Sequence, residues 1–245
     1  MSLTRRIATQ IDDPAAKRGY VQGLFAGIAG RYDLMNDVMS LGRHRAWKRR
    51  VLEVADLRPG QRVLDLAAGT GDLARSAREA VGPSLDVVAT DLTVEMLQVG
   101  LRRPGPPIRG WIAGDAASLP YPDASFDRVL VGYGLRNFAD LKGALVEILR
   151  CLAPGGRLVS LDFGQPSNGA LRRGYLSYLD VSTRLLGWAI QRNAEAYAYI
   201  PESLRRFPGQ RGVRRLMEEC GYEACGALNL LLGMMGVNYG DRPGS

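Results

Sequence analysis

The stretch Asp65-Leu66-Ala67-Ala68-Gly69-Thr70-Gly71-Asp72 limits the fold more than any other part of the chain. The apolar run at 62–67 reads as a strand, and helical sequence resumes at 72–80. Between them, Gly69 and Gly71 allow a tight turn and let backbone approach a ligand without a Cβ in the way. Asp91 closes the next apolar run, 85–90, twenty positions after Gly71. A carboxylate on the tip of a second strand at that spacing is placed to accept both hydroxyls of a ribose.

Strand and helix patterns go on alternating. Strands are expected at 108–114, 126–131 and 157–163, and helices at 93–101 and 141–152. Asp140 is the expected N-cap of the second helix, and Pro154-Gly155-Gly156 ends it. Such alternation implies parallel βαβ units. Residues 1–57 read as helical, with 15–28, 32–40 and 44–57 as candidates. From 164 to 207 no strand pattern appears, but Tyr175, Tyr178, Trp188, Tyr197, Tyr199 and Phe207 do. A helix at 210–220 and two closing strands, 222–232 and 234–239, follow. The expectation is a single α/β domain over 1–245: a helical cover (1–57), a ligand-binding core (58–163), a helical insert (164–207) and a closing helix and hairpin (208–245).

Gly69–Ala74 also fits the dinucleotide pattern G-x-G-x-x-A, which alone is a weak signal. Two features favour S-adenosylmethionine over a dinucleotide. Asp65 ends the first strand, where an acid suits ammonium and sulfonium charges and opposes a pyrophosphate. About sixty residues of helical sequence also precede that strand, whereas many dinucleotide domains begin with it. Asp91 and its neighbour Leu92 then take the ribose side. Asp115 follows the third strand, where a carboxylate can accept from an adenine amino group while the Ala116 N–H faces a ring nitrogen. A turn or helix cap is the plainer role for Asp115.

The net charge is +7, and lysine occurs only at Lys17, Lys48 and Lys142, so the basic residues are mostly arginine. This invites a polyanion partner, nucleic acid or an anionic membrane, but the arginines are spread along the chain as on a solvated surface. No RNP-type aromatic motif supports RNA binding. Cys151, Cys220 and Cys225 form no paired framework, and His44 is the only histidine; a cytoplasmic protein with reduced thiols and no metal site is expected. No apolar run reaches the length of a membrane span.

The Asp65–Asp72 loop, Asp91 and Leu119–Asp127 resemble class I S-adenosylmethionine-dependent methyltransferases. Longer blocks are more specific: Arg31–Ser40, His44–Lys48, Gly134-Leu135-Arg136-Asn137 and Tyr199–Ser203. Together they resemble the ubiquinone/menaquinone-biosynthesis C-methyltransferases over about residues 20 to 240. The resemblance implies a Rossmann-like sheet of seven strands, the last antiparallel, with S-adenosylmethionine as methyl donor and a ring carbon of a prenylated quinol as acceptor. It puts donor-binding roles on Thr70, Asp91, Asp115 and Ala116. Gly132 stands where the family often has serine, and Asn238 where it has histidine, so a non-quinone phenolic acceptor stays in play.

Carbon methylation needs an electron-rich ring and stabilisation of a phenolate. Arg136 is the candidate for that stabilisation and Asn137 for orienting the oxygen or a water. A held water or Tyr197 is the candidate proton acceptor. A structural salt bridge for Arg136 and a turn cap for Asn137 are the competing roles. Tyr32, Asp33 and Asn36 are expected in the cover over the donor. Tyr175, Tyr178, Trp188 and Tyr197 would wall a prenyl channel, and Arg172, Arg173, Arg184 and Arg192 would lie against a membrane. A homodimer is left open.

Overall fold

The computed structural model describes residues 3–32, 40, 42–186 and 194–244. Asp33, Asn36, Trp188 and Arg192, and the side chain of Arg184, lie outside the described residues.

The core is one seven-stranded sheet in the order β3-β2-β1-β4-β5-β7-β6. Its strands are β1 (Arg62–Leu66), β2 (Asp86–Asp91), β3 (Gly110–Ala113), β4 (Phe126–Gly132), β5 (Leu152–Phe163), β6 (Glu223–Leu230) and β7 (Met235–Asp241). Neighbours from β3 to β5 pair in parallel. β7 runs antiparallel to β5 and to β6. Chain order reverses between β1 and β4, which opens a crevice beyond their C-terminal ends.

Alternation along each strand divides the core. Leu64, Leu66, Val129 and Val131 pack on one face, with Leu145 and Ile148 of α6 (Leu141–Cys151) and Val213 and Met217 of α9 (Gly209–Glu219). Val63, Val87, Leu130 and Val159 pack on the other, with Val51 and Ala55 of α3 (His44–Ala55) and Leu73, Ala74 and Ala77 of α4 (Asp72–Val81). Central strands buried on both faces explain their continuous apolar sequence. As the sequence suggested, Asp140 caps α6, accepting from Gly143 N at 2.9 Å. β5 starts earlier than expected, at Leu152, with a register shift that loops Pro154–Gly156 out toward Arg242.

A third cluster lies above the C-terminal edge. It joins α1 (Leu3–Asp12), α2 (Pro14–Ile28) and α8 (Ala194–Arg206) through Ile7, Ile11, Val21, Leu24, Ile28, Tyr197 and Tyr199. α1 was not among the expected helices; its apolar face is Ile7 and Ile11 against this cluster. Asp13 separates it from α2 and caps α2 by accepting from Ala15 N, with Pro14 in the first turn. The insert is helical, as expected: α7 (Gly169–Leu186) precedes α8. The remaining helix, α5 (Val94–Leu101), lies between β2 and β3.

Candidate active site

The glycine loop leaves β1 through Ala67 and enters α4 at Gly71, both with positive φ. A Cβ on Gly71 would lie 2.3 Å from the Trp111 ring, so glycine is required by space as well as by φ. The loop is held from beneath. Arg75 donates to Thr70 O at 2.9 Å and stacks 5.2 Å from the Trp111 ring centroid. Arg103 donates to the Thr70 hydroxyl at 3.0 Å. Asp65 is buried under the same loop, where Oδ2 accepts from Ala74 N at 2.8 Å and Oδ1 meets no partner among the described residues. Burial pushes its pKa up to about 7, against the pull of the Ala74 N–H and Lys48.

Above the loop, under α2, is a cavity at the C-terminal edge of the sheet. Asp91 stands in its wall, with one carboxylate oxygen on Gly69 N and the other on Thr93 N, both at 2.8 Å. Burial raises its pKa, and those two N–H groups work in the opposite direction. The Thr93 side chain is a third donor to this carboxylate, which with about four lone-pair sites keeps acceptor capacity for a hydroxyl. Leu92, Asp115, Ala116, Gly69 and Tyr32 also line this space, as does Gly132. The sequence assignments for Gly69, Asp91, Leu92, Asp115, Ala116 and Tyr32 thus converge on one cavity. Asp65, Thr70 and Gly71 do not line it. Of the three expected acids, Asp91 and Asp115 line the cavity, and Asp65 lies beneath the loop. A compact cavity with carboxylates at two strand tips and apolar walls from Phe25 and Met96 fits a cationic adenosyl ligand.

α2 roofs the cavity and is fixed at three points. Lys17 Nζ donates to the carbonyls of Arg136 (3.0 Å) and Phe138 (2.7 Å), and burial, then the Arg136 charge, lowers its pKa to about 8. Arg18 Nε pairs with Asp115 Oδ2 at 2.6 Å. Gln22 donates to Leu92 O at 3.2 Å. Asp115 Oδ1 also accepts from Ala117 N at 3.0 Å, so the turn-cap role and the cavity position coexist.

A second, more apolar chamber adjoins the first, and Phe25, Tyr32 and Tyr133 line both. Arg136, Trp47, Phe163 and Tyr199 complete its wall. Arg136 is buried and paired with Asp162 at 2.6 Å, its guanidinium 4.8 Å from the Phe163 ring centroid. Burial opposes its charge, but the Asp162 carboxylate outweighs this and holds the pKa above the ordinary arginine value. Its Nε has no partner among the described residues. The salt bridge and the chamber position therefore hold together for Arg136. Asn137 lies on the first cavity; its Nδ2 donates to Tyr133 O (3.0 Å) and its Oδ1 accepts from Tyr199 Oη (3.0 Å).

Tyr197 is corrected: it packs in the α1–α2–α8 cluster and lines neither cavity, whereas Tyr199 does. Tyr199 shares the stripe Ala196–Tyr199–Ile200 on α8, which 3.6-residue spacing could have shown. The expected aromatic channel is also corrected. Tyr178 is 62% exposed and Tyr175 donates to Met234 O, so these two and Tyr197 do not gather around one space. Asp162 and Arg18 carried no expected role; an acid at the tip of β5 was the signal for the first. Asn238 is buried on β7 with its Nδ2 on Gln210 O at 2.7 Å and lines neither cavity, so its departure from the family pattern does not reach the site.

The model of the ubiE/COQ5 methyltransferase family matches residues 13–242. The chain is 40% identical over 231 residues to the "Ubiquinone/menaquinone biosynthesis C-methyltransferase UbiE" of Hahella chejuensis, covering 92% of each. It is 40% identical to the protein of that name from Methylococcus capsulatus, covering 92% and 93%. Among solved structures, a putative methyltransferase bound to the Haloferax volcanii Trm112 activator superposes with a TM-score of 0.64 at 17% identity, covering 89% of this chain and 97% of that one. A Thermotoga maritima S-adenosylmethionine-dependent methyltransferase gives 0.63 at 19%, covering 91% and 99%. Those two likenesses establish the fold. The match along nearly the whole length, with the glycine loop, Asp91 and Asp115 gathered at one sheet edge, places this chain in the ubiE/COQ5 methyltransferase family.

Proposed function

We propose that the chain methylates a ring carbon of a prenylated quinol, a demethylmenaquinol or a 2-methoxy-6-polyprenyl-benzoquinol, using S-adenosylmethionine. The chain is an S-adenosylmethionine-dependent C-methyltransferase of ubiquinone/menaquinone biosynthesis by its family; the acceptor assignment rests on the second chamber. The observation that carries it is the shared wall: a carboxylate-lined cavity and an apolar chamber meet at Phe25, Tyr32 and Tyr133.

The donor, when bound, supplies a methyl group on a positively charged sulfur. Asp91 and Asp115 are the carboxylates that would hold it, with the backbone of Leu92 and Ala116 beside them. The protein's task at the acceptor is to hold an electron-rich ring still and to stabilise charge on its oxygen. Arg136 brings positive charge to an otherwise apolar wall, and Asp162 fixes the orientation of its guanidinium. Tyr199, Asn137 and the Tyr133 carbonyl form a hydrogen-bonded chain that ties α8 to the wall between the two spaces. The α2 helix, fixed by its three anchors, covers the donor side of the site.

A lipid-borne acceptor also calls for contact with the bilayer. Among the described residues no helix is long and apolar enough to cross a membrane. At the β6–β7 turn, Leu231 and Leu232 have positive φ and are 39% and 77% exposed. The turn packs against Pro166, beside a groove lined by Arg172, Arg211 and Arg215. These arginines and Arg173 are exposed and meet no acid among the described residues. Two protruding leucines flanked by unpaired arginines suit the surface of an anionic bilayer.

The acceptor assignment is tested with isotope-labelled S-adenosylmethionine and a demethylated short-tail quinone, with and without reductant. Carbon-methylated product is expected only from the reduced ring. No product, or label on oxygen, would overturn the assignment.

A further inference from the structure

Tyr133 combines two costs at one position. Its φ is +61°, a region that bulky side chains seldom occupy, and its hydroxyl is buried without a partner among the described residues. Both neighbours, Gly132 and Gly134, are glycine, yet the aromatic residue takes the strained place between them.

The surroundings pin it there. Tyr133 N donates to Leu161 O at 2.7 Å. Its carbonyl accepts from Arg136 Nη1 at 2.8 Å and Asn137 Nδ2 at 3.0 Å. Its ring lies tilted on Phe163, centroids 6.0 Å apart. Every polar group of the residue is used except the hydroxyl. That residue lines both cavities. Strain and an unsatisfied polar atom at one such junction are features of a ligand-contacting group.

We infer that Tyr133 Oη donates a hydrogen bond to a ring oxygen of the acceptor and so fixes which ring carbon faces the donor cavity. Burial keeps the phenol protonated at neutral pH, so it serves as a donor to an oxygen gaining negative charge, not as a base. The contact complements the charge on Arg136 in the same chamber. The inference rests on the reading of that chamber as the acceptor site.

The test is Tyr133→Phe, which keeps the ring and removes only the hydroxyl. It is assayed on the reduced quinol and on two analogues, each lacking one ring oxygen. Expected is a fall in kcat/KM of roughly 10- to 100-fold on the quinol. On one of the two analogues the variant should lie within about twofold of the parent protein, since the contacted oxygen is gone. The melting temperature should hold or rise, because a buried unpaired hydroxyl has been removed. Equal loss on all three compounds, or loss that follows a lowered melting temperature, would mark Tyr133 as structural and overturn the inference. Unchanged turnover on the quinol would overturn it while leaving the acceptor assignment standing. A parent protein inactive on the quinol would overturn the acceptor assignment and this inference with it.

Discussion

Asp65 ends a strand with its carboxyl sealed beneath the glycine loop and one oxygen unpartnered. Its pKa is pushed up from 3.8 to about 7 by burial. The folded state therefore holds a proton that the unfolded chain has released. This contribution to stability is complete below about pH 4 and is lost as pH rises through about 7. Asp65→Asn should melt within about 2 °C of the parent protein at pH 4.5 and several degrees above it at pH 8, read by calorimetry. The opposite order would mean that the ionised carboxylate is the form the fold favours. Asp91 differs because both its oxygens hold backbone N–H groups on the cavity wall. Asp91→Asn puts a donor against one of those N–H groups and removes the charge, so affinity for S-adenosylhomocysteine should fall by about 30-fold or more in titration calorimetry. These two roles could not be separated from spacing. Sequence showed that Asp65, Asp91 and Asp115 follow strands. Which of them faces the crevice depends on side-chain direction at each strand exit, and that is set by the turn, not by the strand pattern.

Elements were more legible than side-chain roles. The α2 helix was read at nearly full length, 15–28 against Pro14–Ile28, without the Asp13 cap that the structure shows. Two apolar runs after the insert marked the closing strands β6 and β7, while the antiparallel last strand was what the family resemblance implied. The start of β5 was missed because Pro154-Gly155-Gly156 reads as a stop, whereas the strand begins before it and bulges. The function of α2 was visible only in three dimensions. Lys17, Arg18 and Gln22 lie within about one and a half helical turns and reach three different loops at the sheet edge. The Arg18–Asp115 pair occupies a carboxylate oxygen on the wall of the proposed donor cavity. The pair is well exposed on the arginine side, so its own strength is small. Arg18→Ala should tighten S-adenosylhomocysteine binding by about two- to fivefold at low salt and should flatten its salt dependence. Weaker binding would assign Arg18 to holding the ligand rather than competing with it.

At the scale of the whole molecule, the sheet brings the two cavities and the leucine turn to one end. β5 ends at Phe163, a wall of the second chamber, and the next residue, Gly164, donates to Met234 O just after that turn. The +7 charge alone could not distinguish a solvated surface from a lipid contact. An exposed leucine turn that packs on Pro166, at the edge of an arginine-lined groove, is what supports the proposed lipid contact. Leu232→Ser should reduce co-sedimentation with vesicles containing anionic lipid by about threefold or more and leave methylation of a short-tail, detergent-soluble quinol unchanged. Equal sedimentation of both proteins would remove the turn from the membrane contact.

The proposed methyl transfer requires donor and acceptor to meet across the wall formed by Phe25, Tyr32 and Tyr133. The most direct measurement is a crystal structure with S-adenosylhomocysteine and a short-tail quinol bound together. The predicted result has the ribose on Asp91, the ring in the chamber beside Arg136, and a ring carbon facing the sulfur. An adenosyl group outside the Asp91–Asp115 cavity, or a ring seated away from Arg136 and Tyr133, would contradict it.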